Sequence, residues 1–158
     1  MLKNRNIVCV ANPLYEGDFA KTIVELMNVF ALQNKVLFVE NPFSFSTIVK
    51  GLLGFYHEKT PTWRVLGLKP RLRKLKVSDH ENIFVLTPPP ILPINKIKIQ
   101  GLYTFLHRIN TRILLKSIQR TVRKLDMAED LIEINAFQPG FGVAMFGKLN
   151  AKTTIYHC

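Results

Sequence analysis

Short, unbroken apolar runs alternate with helical periods along this chain. NIVCVA (6–11), KVLFVE (35–40), IFVLT (83–87) and DLIEINA (130–136) are strand-like, and AKTTIYHC (151–158) begins a fifth. Ile7, Val8, Cys9 and Val10 are consecutive, as are Val36, Leu37, Phe38 and Val39. Strands without polar alternation are expected where a parallel sheet is covered on both faces. Between the first two runs, Ala20, Ile23, Val24, Met27, Phe30 and Ala31 fall on one helical stripe. Asp18 stands at the N-cap position of that helix, and Asn34 at the left-handed residue that would end it. A crossover of this length is right-handed.

The same pattern predicts the rest of the architecture. Ser44 or Ser46 caps a helix within 43–57, whose Ile48, Val49, Leu52, Leu53, Phe55 and Tyr56 leave it a poor polar face. Such a helix is buried or rests on an apolar surface. Residues 59–82 are basic and interrupted by Pro61 and Pro70, and read as an irregular excursion. Pro88, Pro89 and Pro90 force an extended connector out of the sheet. A long helix spans 97–125, its apolar stripe running from Ile99 through Leu106, Ile113 and Ile118 to Leu125. A turn and short helix fill 138–150. Five strands and three or four helices in alternation give an α/β class: a Rossmann-like, doubly wound, mostly parallel sheet with helices on both faces. At 158 residues this is one domain, 1–158, with 43–82 as an excursion within it.

Charge sharpens the picture. The chain carries 22 Lys and Arg against 11 Asp and Glu. Fifteen of those bases and two of the acids lie in 59–125, so the whole excess sits in the middle. Arg108, Arg112, Lys116, Arg120 and Lys124 recur every four residues and form a basic ridge on the long helix. The ridge is either a solvated face or the seat of an anionic partner. Nucleic acid is disfavoured, since no aromatic residues interleave 108–124 and no nucleic-acid motif occurs. The basic start MLKNRN is followed by too few apolar residues for a signal or spanning segment, and two cysteines make no disulfide framework; both point to the cytoplasm.

In open α/β sheets ligands bind beyond the carboxyl ends of the strands. The first such loop, 12–18, is the leading candidate: Asn12, Glu16, Gly17 and Asp18 read as substrate-binding, or Gly17 and Asp18 as a turn and cap alone. Asn135 and Gln138 lie at the fourth strand end. His157, at the fifth, is a weak catalytic candidate or a structural histidine. His107 falls near the polar face of the long helix and reads as solvated, and Glu133 as serving an edge or a polar crevice. No glycine-rich dinucleotide or P-loop motif occurs, and no His or Cys pair has zinc spacing, so neither a cofactor nor a metal is expected in this domain.

Taken in order, IVCVANPLYEGDFAKTIVELM, KVLFVENPF, IFVLTPPPILP, the basic helix, DLIEINAFQP and TTIYHC resemble the amino-terminal half of GT-B glycosyltransferases. The match is to family 4-like bacterial enzymes of teichuronic acid or other surface polysaccharide synthesis. The resemblance implies an acceptor-side domain, with the nucleotide-sugar donor held by a carboxy-terminal domain that nothing here matches. It also implies a sugar or lipid-linked acceptor, a peripheral position at the inner face of the cell membrane with the basic ridge toward it, and no transfer by this domain alone. The competing reading is another Rossmann-like nucleotide-dependent enzyme.

Overall fold

The computed structural model describes residues 3–16, 21–53, 62–77 and 80–157. Six strands form one sheet: β1 (Asn6–Ala11), β2 (Lys35–Val39), β3 (Leu72–Val77), β4 (His80–Leu86), β5 (Leu131–Ala136) and β6 (Thr153–His157). The helices are α1 (Lys21–Ala31), α2 (Phe45–Leu52), a single turn α3 (Thr62–Val65), α4 (Gln100–Lys124) and α5 (Pro139–Met145). The order across the sheet is β3-β4-β2-β1-β5-β6. All neighbours are parallel except β3 and β4. Without β3, the parallel strands stand third, second, first, fourth, fifth, the doubly wound Rossmann-like order.

The apolar runs are buried on both faces, which is why they show no alternation. One face of β1 and β2 packs Cys9 and Phe38 under Ile23, Met27 and Ala31 of α1. The other packs Val8, Leu37 and Leu131 under Leu114, Ile118 and Val122 of α4 and Met145 of α5. Each such buried aliphatic side chain contributes about 1.5–3 kcal/mol.

Several local expectations are revised. The irregular 59–82 stretch contains α3 and the edge strand β3, whose Leu72 and Leu75 pack on opposite faces while its Arg and Lys residues suit a strand with one free edge. Asn34 has no left-handed backbone; instead its buried side chain donates to Phe30 O (2.9 Å) and accepts from Arg5 N (3.0 Å). Ser44 caps α2, accepting from Thr47 N at 3.3 Å. In α2 only Ile48 is buried, and Phe45, Val49 and Leu52 face outward. The apolar stripe of α4 is buried only in its second half; Ile99, Leu102 and Tyr103 are exposed, and Asn110 and Thr111 are buried instead. Among the described residues, no helix is long and apolar enough to cross a membrane.

Candidate functional site at the carboxyl edge of the sheet

Strand order reverses at β1, between β2 and β5, so the loops after these three strands meet. Their meeting is made by one amide. Gln138, almost fully buried, donates through Nε2 to Oδ1 of Asn41 (2.7 Å) and lies 3.4 Å from Ala11 O and 3.5 Å from Asn12 Oδ1. The Asn12 amide N–H donates to Ala136 O at 3.1 Å, tying the first loop to the end of β5. Asn12, Asn41 and Gln138 thus present three neutral amides at the switch point.

Beside them lies a chain of charge. Glu40 directly follows β2, with its side chain 2% exposed. Its Oε1 accepts from the Arg73 guanidinium (3.0 Å) and from Tyr15 N (3.3 Å), and its Oε2 accepts from the Thr87 hydroxyl (2.6 Å). Arg73 also reaches Glu16 at 2.7 Å. A buried carboxylate needs this level of pairing, since an unpaired charge there is strongly destabilising. The arrangement fixes the first loop to the β3 edge: Tyr15 packs edge-on against Phe38 at 5.3 Å, and its hydroxyl donates to Asn28 at 2.6 Å. Burial pushes the Tyr15 hydroxyl up from its ordinary pKa.

The sequence-derived candidates therefore scatter. Asn12 and Gln138 meet at the switch point. Glu16 is exposed and held by Arg73. Gly17 and Asp18 lie outside the described residues. Asn135 is buried beneath α5, and a side chain at Gly142 would come within 2.3 Å of it, so Gly142 must remain glycine for α5 to lie that close. Its Oδ1 has no partner among the described residues. His157 packs edge-on against Phe137 (5.1 Å), and its buried Nδ1 has no partner among the described residues. His107 is not a solvated histidine: its ring stacks between Tyr103 (5.9 Å) and Phe141 (5.4 Å), joining α4 to α5. Glu133 lies inside the sheet, flanked by β1 and β6, on no edge. The five ridge residues of α4 are all exposed. Cys9 is buried and its thiol pushed up to about 12, which leaves it unreactive. Among the described residues no three His, Cys, Asp or Glu side chains gather as metal ligands.

The sequence reading missed Arg73, Glu40 and Phe137. Glu40 had a signal, a lone carboxylate closing an apolar run; Arg73 had none, lying in a stretch without visible period. Phe137 stands at φ +56°, a left-handed conformation that disfavours a bulky side chain by about 1–2 kcal/mol. The residue is 47% exposed, so burial does not repay that strain. The bend is held by its own N–H, which donates to His157 O at 3.0 Å. Strain of this kind collects at ligand-contacting positions.

No protein-family model, curated protein or solved structure matches this chain.

Proposed function

We propose that this chain is the acceptor-side domain of a GT-B-type, family 4-like glycosyltransferase that moves a hexosyl group from a nucleotide-sugar to a surface polysaccharide or lipid-linked acceptor. The observation that supports it most is the switch-point cluster of Asn12, Asn41 and Gln138, with the half-exposed Phe137 preceding Gln138 in the chain. Neutral amides pair with sugar hydroxyls as donor and acceptor, and a half-exposed aromatic ring offers a flat apolar surface to a pyranose. The donor and its diphosphate belong, in this reading, to a second domain, and this domain alone transfers nothing. The exposed ridge of Arg108, Arg112, Lys116, Arg120 and Lys124 would face an anionic leaflet, where each cation near the surface contributes about 1 kcal/mol. The outward apolar face of α2 would insert beside it.

The test is a titration of isotope-labelled protein followed by NMR, using methyl hexopyranosides, UDP- and GDP-hexoses as probes. The glycosides should shift the side-chain amides of Asn12, Asn41 and Gln138, and the nucleotide-sugars should leave them unmoved. Phe137→Asn, which suits the left-handed backbone, should keep the fold within about 1 kcal/mol and weaken glycoside binding at least tenfold. Saturable shifts from the nucleotide-sugars with none from any glycoside would replace this reading by that of a nucleotide-binding domain.

A further inference from the structure

The basic ridge of α4 is not a flat face. Its second half forms one wall of a groove of about 900 Å³, and the 67–72 segment forms the other. That volume falls within the ~300–1,000 Å³ range of small-molecule sites. No residue of the switch-point cluster lines it. Its floor is apolar: Leu72 and Leu86 come from the sheet, Pro89 from the connector and Ile113 from α4. Its rim is cationic, with Lys69 on one side and Lys116, Arg120 and Lys124 on the other. Among the described residues, no carboxylate lines the groove. Among the described residues, none of these four cations is paired with an acid.

The wall opposite α4 is built rather than loose. Arg71 folds back and donates to Arg64 O (3.2 Å) and Val65 O (3.0 Å). The N–H groups of Leu68 and Lys69 both donate to Trp63 O, at 2.9 and 3.0 Å. Gly67, at φ +83°, makes the reversal these bonds require. Lys69 is thus presented by a fixed turn, and Leu68 stands 69% exposed next to it. A groove for a free anion would have a polar floor, and one for an uncharged apolar molecule would not be rimmed with unpaired cations. Both features together select an amphiphile with an anionic head.

We infer that this groove binds a single phosphate-bearing lipid, its chain on the Leu72–Leu86–Pro89–Ile113 floor and its phosphate against Lys116, Arg120, Lys124 and Lys69. A phosphomonoester carries roughly −1.5 to −2 charges at pH 7 and three acceptor oxygens, a match for such a rim. The inference takes its source, a lipid, from the membrane-facing part of the proposed function, but the groove itself stands apart from the sugar site.

Trp63 is the only tryptophan in the sequence, and its carbonyl anchors the groove wall. The experiment titrates decyl phosphate, kept below its micelle concentration, into the whole chain, with NMR to locate the shifts. Saturable binding should move the amides of 67–72 and 113–124. The variant Lys116→Gln/Arg120→Gln/Lys124→Gln should keep the wild-type melting temperature or exceed it and bind at least tenfold more weakly. Decyl maltoside and inorganic phosphate should each bind far more weakly than decyl phosphate. Shifts that are absent, that lie elsewhere, or that persist undiminished in the triple variant would overturn the inference, as would inorganic phosphate binding equally well. Phosphatidylcholine vesicles with and without phosphatidic acid separate the two readings. Retention on the acidic vesicles without decyl phosphate binding would sink the groove and keep the surface attraction of the ridge. Decyl phosphate binding without vesicle retention would keep the groove and sink the membrane placement.

Discussion

Glu133 carries a carboxyl into the interior of β5, where, among the described residues, one oxygen is left unpaired and the other lies 3.5 Å from the Thr154 hydroxyl. Asn135, two residues on and on the same face, likewise has no partner for its Oδ1 among them. Two lone acceptors in one layer need a donor, and a protonated carboxyl would be one. Burial, opposed by the Thr154 hydrogen bond, raises the Glu133 pKa above its ordinary value of 4.5. With the folded pKa raised, the stability linked to this group is fully present below the unfolded value and is lost as pH rises through the folded one. Glu133→Gln cannot ionise and supplies an N–H donor. It should therefore stabilise the fold by about 1–2 kcal/mol at neutral pH, with the gain shrinking toward zero below about pH 4.5. Thermal melts of both proteins across that range decide it; parallel curves would mean that Glu133 is not what the pH acts on. The sequence displayed the glutamate but not its depth, because a single charged residue in LIEINA fits an edge strand as well as a central one.

At the scale of elements, α4 shows where periodicity misleads. Its apolar stripe predicted a seam along the whole helix, yet the first turns stand clear of the sheet and Asn110 turns inward. The reason is a connector distant in sequence. Asn110 accepts from Leu92 N (2.8 Å) and donates to Leu92 O (2.9 Å), pairing both backbone groups of this residue in the extended segment after the prolines. That segment also pairs Ile91 with Phe43 and Phe45 at the start of α2, so one asparagine holds three elements in place. Counting apolar positions cannot find a polar residue whose partner is a backbone elsewhere. Asn110→Ala should cost about 1–3 kcal/mol, since it leaves two partly buried backbone groups of Leu92 without their partner. Urea unfolding with an unchanged m-value measures it, and a loss below about 0.5 kcal/mol would show that the connector is held by its proline stiffness alone. The β3 edge escaped for another reason: Leu72 and Leu75 stand on opposite faces among Lys and Arg, so no two-residue alternation marks the strand.

For the molecule as a whole, the parallel runs and the crossover helices were legible, because each follows from burial on two faces. The antiparallel edge was not, nor were Glu40, Arg73 and Phe137, because they depend on which distant side chains meet; Asn12 and Gln138 were read from their places at strand ends. Charge placement was legible as number but not as shape. Self-repulsion follows from it directly: the net charge is +11, and the bases of α4 stand four residues apart with no acid between them on the ridge. Each like-charge pair at that spacing destabilises by a few tenths of a kcal/mol, so the four successive pairs from Arg108 to Lys124 together cost on the order of 1 kcal/mol at low salt. Raising ionic strength from about 0.01 M to about 0.15 M shortens the screening length from ~30 Å to ~8 Å. Wild-type protein should gain stability over that interval, by up to about 1 kcal/mol in denaturant unfolding. Lys116→Gln/Arg120→Gln/Lys124→Gln removes three of the four pairs outright; the fourth, Arg108 with Arg112, remains. That variant should start more stable at low salt and respond to salt less steeply. Equal salt slopes for the two proteins would place the repulsion elsewhere in 59–125, while a variant less stable at low salt would mean that the cations of α4 are held by favourable contacts rather than crowded against one another.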